Sequence, residues 1–229
     1  MIDQATLDFL RELKVNNNKE WFDKNRKRYD AVKADYLSLA ETILDSMKKV
    51  DPMLEMTSAK DCIFRINRDV RFSADKSPYK TNLGIALHAG NKKFNLAAYY
   101  LHIEPDGSSF AGGGMWMPEA PLLASIRREI HNFYPDLRAI LDDPGFIKTY
   151  GTLDVEEGQK LTRPPKGYDE NDPAIEYLKL KSFTASATVP AEILTTDKFL
   201  PFVIKTLTAL KPFIGFLNRG LRSDAEGGL

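Results

Sequence analysis

Cysteine is nearly absent from this chain: Cys62 is the one thiol in 229 residues. An intramolecular disulfide is therefore excluded, and the usage suits a reducing compartment. Cys62 lies in an apolar run without an evident partner histidine, so it reads as a small core residue rather than a nucleophile. Net charge is lacking too, with 32 Lys and Arg against 32 Asp and Glu. Bulk, non-specific nucleic-acid binding needs a positive field, which this balance does not supply, although a local basic patch stays open. Long hydrophobic runs are missing. The densest apolar stretch, Phe199 to Ile204, contains Pro201 and falls far short of the ~20 residues of a membrane span. The start, Met1-Ile2-Asp3-Gln4, has neither the basic nor the apolar region of a signal peptide. A cytoplasmic protein that is not integral to a membrane is the expectation. Three histidines, His88, His102 and His131, are scattered without ligand spacing, so no metal site and no cofactor are expected. Neither a GxSxG elbow nor a dinucleotide-binding glycine pattern occurs.

What is present is an ordinary globular composition, 43% hydrophobic and 28% charged, over a length that suits one domain. The tail from Ser223 to Leu229 is the one stretch expected to be disordered. Leu7, Leu10 and Leu13 predict a helix over 3–14, which Asn16-Asn17-Asn18 ends while capping the next. Phe22, Tyr29, Val32, Tyr36, Leu39, Ile43, Met47 and Val50 predict one long second helix, stopped at Asp51-Pro52. The period then changes to two. Cys62 to Phe72 alternates like a strand, with Arg68 as the exception on the apolar side. Leu83, Ile85 and Leu87 form a second alternating run, and Tyr99, Leu101 and Ile103 a third. Pro105-Asp106-Gly107 reads as a turn returning the chain through Ser108 to Gly112. Pro118 fits the first turn of a helix carrying Leu122, Ile126 and Ile130, and Asp143-Pro144 opens another. Residues 151–173, with six glycines or prolines, read as a long loop and as the only plausible domain boundary. Residues 179–189 add a strand, and a last helix from about Asp197 is kinked or divided at Pro212. The order predicts an α+β fold: a mainly antiparallel sheet, strands about 60–115 and 179–189, packed with N-terminal and C-terminal helices.

Chemistry concentrates between Arg65 and Lys80. Five cations, Arg65, Arg68, Arg71, Lys76 and Lys80, accompany two anions, Asp69 and Asp75, within sixteen residues. Guanidinium forks match phosphate and carboxylate geometry. On a regular strand Arg65, Asp69 and Arg71 would share a face, with Asp69 orienting the arginines and Tyr79 donating a hydrogen bond beside Lys76. A structural ion network, with Arg68 paired to a carboxylate, explains the same residues, and the two readings can coexist. Three further positions are additional candidates. Trp21 could stack on a ring or belong to the core. Gly113, within Gly112-Gly113-Gly114, could bare its amide to a ligand or mark a bulge or close backbone crossing. Lys166, in Pro164-Pro165-Lys166-Gly167-Tyr168, could ride on a lid or on a plain surface loop. His102 and Glu104, two apart on a strand, face the same way as an acid–base pair or as an exposed polar face.

Arg65-x-x-Arg68-Asp69-x-Arg71-Phe72, followed by Asp75-Lys76-Ser77-Pro78-Tyr79-Lys80, resembles the signature of a mainly bacterial conserved hypothetical family, domain of unknown function 2461. Asn17-Asn18-Lys19-Glu20-Trp21-Phe22, Asn25 with Tyr29, the triglycine with Trp116 and Pro118, and Pro164-Pro165-Lys166-Gly167-Tyr168 match in order over nearly the whole chain. The resemblance implies one full-length domain in a cytoplasmic setting, with Arg65 to Tyr79 as its hallmark. It carries no activity, cofactor or partner that could be transferred.

Three functions compete. A site for a phosphorylated or carboxylated small molecule, enzymatic or binding, leads. A nucleic-acid-binding module using Trp21 and Tyr79 as stacking platforms is the alternative. The third is an interaction protein that forms a homo-oligomer through its last helix, where Phe199, Phe202, Phe213 and Phe216 flank the main apolar stripe.

Overall fold

A computed structural model describes residues 1–89 and 95–225. The chain is α+β, with helices at both ends and a four-stranded antiparallel sheet of order β1-β2-β3-β4, made of β1 (Leu83–His88), β2 (Ala98–Ile103), β3 (Phe110–Met115) and β4 (Phe183–Thr188). Its contacts group into two compact units, each assembled from separate stretches. The first comprises 1–93, 100–111 and 188–205, and the second 94–99, 112–187 and 206–229. The 151–173 loop lies wholly inside the second unit and divides nothing.

The first unit is built on three N-terminal helices. α1 (Gln4–Val15) starts where the Asp3 carboxylate accepts the Ala5 amide, and ends at Asn16. α2 (Lys19–Lys24) is capped by the Asn18 side chain, which accepts from Trp21 N–H. The expected long second helix is in fact two. Asn25 interrupts it, turning its own side-chain amide onto the Trp21 carbonyl at 2.9 Å, and α3 (Arg26–Lys48) begins anew. The apolar stripe continues across this break, so periodicity alone could not reveal it. α3 buries Val32, Tyr36, Leu39, Ile43 and Met47 and packs against α1 and β1. Asp51 and Pro52 end it in a 3-10 turn over Pro52–Leu54.

A short helix α4 (Ala59–Cys62) buries Cys62. The strand expected over Cys62 to Phe72 does not form. Only Ile63 and Asn67 make isolated bridges, to Ile85 and Tyr79. Phe64 and Phe72, which alternation would bury, are 50% and 96% exposed. The reason is local. Asp69, Arg71, Asp75 and Lys76 satisfy one another and their own backbone, so the chain folds back on itself instead of extending along β1.

In the second unit, the triglycine runs through β3. A Cβ on Gly112 would stand 2.1 Å from the Ala185 carbonyl oxygen, and one on Gly114 2.0 Å from that of Phe183. Gly113 and Gly114 have φ of +152° and +126°. These glycines permit a close backbone crossing at the sheet, the second of the two readings given for Gly113. α5 (Ala120–Asn132) takes Pro121, not Pro118, into its first turn. α6 (Tyr134–Leu141), absent from the expectation, precedes α7 (Pro144–Tyr150), which Asp143 caps at Gly145 and Phe146. The four-residue α8 (Ile175–Leu178) ends the loop before β4. The last helix is divided near Pro212 into α9 (Phe199–Ala209) and α10 (Lys211–Ala225), bent by 46°. α10 continues through residues 223–225, where a disordered tail was expected; the rest of that tail, 226–229, lies outside the described residues. Phe199, Phe213, Phe216 and Leu217 are buried within the chain. Among the described residues, no single helix is long and apolar enough to cross a membrane. The bent α9–α10 pair passes only by length and composition.

Candidate functional site

Residues 66–68 and 78–80 run antiparallel, with Arg68 N–H donating to the Pro78 carbonyl at 2.9 Å and Lys80 N–H to that of Ile66 at 2.8 Å. Asn17 fixes this ribbon to the end of α1. Its side-chain amide donates to the Tyr79 carbonyl at 2.9 Å and accepts from Tyr79 N–H at 3.0 Å. The Tyr79 ring is buried and stacks on Phe22, centroids 4.0 Å apart and planes 15° from parallel. Tyr79 therefore serves mainly as the hydrophobic footing of the segment.

Beyond the ribbon, the loop 69–77 is closed by its own charges. Arg68 pairs with Asp75 and donates to the Ser77 carbonyl at 3.1 Å. Arg71 makes a two-pronged contact with Asp69, at 2.9 and 2.7 Å. Lys76 Nζ reaches the Val70 carbonyl at 3.0 Å. Ser77, through its amide and hydroxyl, and then Arg68 hold the Asp75 carboxyl down at about 2. Three of the five cations in the motif are thus occupied inside the loop, as a structural network requires.

Arg65 and Lys80 are not. Among the described residues neither side chain has a hydrogen bond or an ion pair. Both line a cavity of about 370 Å³ between α3 and the 63–84 segment. That volume is in the range of small-molecule sites. α3 contributes Arg26, Tyr29, Lys33 and Tyr36, whose spacing of three, four and three puts them on one helix face. Arg26 reaches Asp30 only at 3.8 Å and lies over the Phe22 and Tyr29 rings. Lys33 has no partner among the described residues. Four cations thus line the cavity, and none of the described residues around it is acidic. Burial first, and the Arg65 charge second, press the Lys80 pKa below the ordinary 10.5. Asn67, Asn82 and the Tyr29 hydroxyl add neutral polar groups. The wall is closed by Tyr36, whose hydroxyl accepts from Phe64 N–H at 3.2 Å and donates to the Gly84 carbonyl.

A second, more open cleft of about 370 Å³ shares Phe64, Lys80, Asn82 and Gly84 with the first, and adds Arg68, Asp69 and Tyr100. Behind Tyr100 stand His102 and Glu104. This face of β2 is half-buried, the side chains of His102 and Glu104 being 18% and 22% exposed, because Phe110 stacks on the imidazole at 5.0 Å. It is not the open polar face that alternation alone suggested.

The structure thus brings two of the expected residues, Arg65 and Lys80, to one cavity that Tyr79 also lines, and places Arg68 and Asp69 on the adjoining cleft. Trp21 packs on Phe9 at 5.6 Å. Gly113 and Lys166 belong to the second unit, Gly113 within β3 and Lys166 exposed on its loop. Arg26, Tyr29, Lys33 and Asn82 are not among the expected site residues. The signal for Arg26 and Lys33 is present in the helix, as cations on the flank of the Phe22–Tyr29–Tyr36 stripe. Among the described residues, no three His, Cys, Asp or Glu gather as metal ligands.

Fold and site together define an α+β protein with a basic, aromatic-walled cavity in its first unit. The model of the family described as Conserved hypothetical protein (DUF2461) matches residues 5–216, and the chain belongs to that family. No curated protein and no solved structure matches the chain.

Proposed function

We propose that this protein binds a small anion, a phosphorylated or carboxylated compound, in the cavity lined by Arg26, Lys33, Arg65 and Lys80. One observation carries the reading: three of these cations lack a carboxylate partner among the described residues, and no acidic residue described there lines the cavity. Holding like charges together without a counter-ion is costly, and an anionic ligand relieves that cost directly. Asn67 and the Tyr29 hydroxyl supply neutral hydrogen bonds. The Arg68–Asp75 and Arg71–Asp69 pairs brace the loop, so the site and the structural network coexist in one motif. A nucleic-acid module is less favoured, because the rings offered for stacking, Trp21 and Tyr79, are packed on Phe9 and Phe22. A homo-oligomer through the last helix is likewise less favoured, since Phe199, Phe213 and Phe216 are already buried. The reading goes with a cytoplasmic setting, where phosphorylated and carboxylated metabolites are abundant.

A thermal-shift screen of phosphate, sulfate, sugar phosphates and organic acids tests it. A ligand at a hundred times its dissociation constant adds ~2.7 kcal/mol of stability. That gain should vanish in Arg65→Ala combined with Lys33→Ala and persist in Arg71→Ala. Absence of any stabilising anion, or an equal gain in the double variant, would overturn the proposal.

A further inference from the structure

We infer that the ligand of this cavity carries a hydroxyl group beside its anionic group, and that Tyr100, oriented by His102 and Glu104, is the acceptor that recognises this hydroxyl. The inference rests on the anion reading above and names the ligand class within it.

The contacts of His102 favour one arrangement of protons. His102 Nε2 faces the Glu104 carboxylate at 3.6 Å, and this favours the proton on that nitrogen. Nδ1 is then the lone-pair nitrogen. It lies 3.1 Å from the Asn82 side-chain amide and 3.3 Å from the Tyr100 hydroxyl. With its amide nitrogen toward the ring, Asn82 fits the same tautomer and shares the single Nδ1 lone pair with Tyr100. In that arrangement the one Tyr100 proton is directed to Nδ1. What its oxygen presents elsewhere is lone pairs, which accept a hydrogen bond and cannot give one.

That oxygen belongs to the adjoining cleft and stands beside Gly84. Tyr100 Oη lies 2.6 Å from where a Cβ on residue 84 would be, and Gly84 lines both the basic cavity and the adjoining cleft. Glycine is needed here for space, since any side chain would displace the phenol. Lys80 lines both clefts as well. A ligand whose anionic group sits among Arg65, Lys33 and Lys80 can therefore extend past Lys80 and Phe64 toward Tyr100. There it meets an acceptor backed by an imidazole and a carboxylate, and the group that satisfies it is a donor such as an alcohol. Burial holds Tyr100 in its neutral form, its pKa raised above the ordinary 10.0, so the phenol keeps the proton that it turns toward Nδ1.

The test uses matched pairs on the full chain: glycerol 3-phosphate against methyl phosphate, and glycerate against propionate, by calorimetric titration. The hydroxylated member should bind about fivefold tighter, as one net hydrogen bond provides, and Tyr100→Phe should remove that preference while both members still bind. In parallel, the His102 ring nitrogens are followed by nuclear magnetic resonance in the unaltered protein, which guards against a variant that fails to fold. The hydroxylated ligands should move the Nδ1 signal, and methyl phosphate and propionate should not. Equal binding within each pair, a preference that survives Tyr100→Phe, or an unmoved Nδ1 signal overturns this inference and leaves the anion site standing. Failure of all four ligands to bind overturns the anion site itself.

Discussion

Lys80 Nζ stands 5.0 Å from the centre of the Phe64 ring. A lysine beside an arginine that has no ion pair among the described residues would ordinarily find a carboxylate. Here an aromatic face holds it, an attraction that steers the ammonium without neutralising it. Phe64, although 50% exposed, lines the cavity with its ring turned to this ammonium. The charge left over at Arg65 and Lys80 is what a ligand would find.

Anion affinity should fall in alkaline solution earlier than an ordinary lysine would dictate. Lys80 has a depressed pKa in the folded protein, from burial and then from Arg65. Its ammonium is therefore lost below the ordinary 10.5, and affinity declines as pH rises through that window. The folded protein by itself moves the other way. The unfolded chain holds this proton more tightly, so this group's contribution to stability rises with pH through the same window. Calorimetric titration with phosphate from neutral pH to about 10.5 should reveal the decline, and Lys80→Met should weaken binding throughout and flatten it.

Tyr36 should make stability alkali-sensitive. Burial, the largest cause, pushes its pKa from 10.0 up to about 12. The neutral phenol is favoured by the fold, so its contribution is complete below pH 10 and lost as pH rises toward about 12. Tyr36→Phe should lessen that alkaline loss. It should also cost about 1–3 kcal/mol at neutral pH, because Phe64 N–H and the Gly84 carbonyl each lose a partner. Urea denaturation at several pH values checks both.

The loop brace should fail in acid. Asp75 titrates at about 2, chiefly because Ser77 and then Arg68 hydrogen-bond its charged form. That contribution is complete above the ordinary 3.8 and lost as pH falls through about 2. Hydrogen exchange of the 68–77 amides should quicken over that range. Arg68→Ala should produce the same loosening at neutral pH, with a far smaller effect on phosphate affinity than Arg65→Ala. Equal losses of affinity in the two variants would contradict the division between brace and site.

Gly114→Ala should be severely destabilising. Its Cβ would stand 2.0 Å from the Phe183 carbonyl oxygen, on a backbone at φ +126°. Backbone strain and overpacking together predict a loss of about 2–5 kcal/mol, read from the urea midpoint. Gly107→Ala in the turn after β2 meets nothing within 4 Å and should carry only the strain of its φ of +94°, a loss of about 1 kcal/mol.

Much of the fold could be read directly from residue order. The period-two runs at Leu83–Leu87 and Tyr99–Ile103 became β1 and β2, the Pro105-Asp106-Gly107 turn held, and Pro212 divided the last helix. Each of these rests on interactions within a few residues, and local chemistry suffices for them. Cys62 to Phe72 departs from its pattern for a related reason. Its alternation is real, but the charges inside it satisfy one another at short range, and pattern alone does not weigh ladder pairing against a self-closing loop.

The basic motif and its neighbours in the chain set how many cations stand near residue 70, and which of them have carboxylates close enough in sequence to occupy them. Asp69 takes Arg71 and Asp75 takes Arg68, both within a few residues. Which cations are left unoccupied, and what faces them, depended on distant segments meeting. α3 places Arg26 and Lys33 opposite Arg65, and β2 places Tyr100 and His102 behind Lys80. Ion pairs between near neighbours form wherever the chain lies, whereas a cavity without acidic groups exists only once packing has decided which side chains are kept out of it.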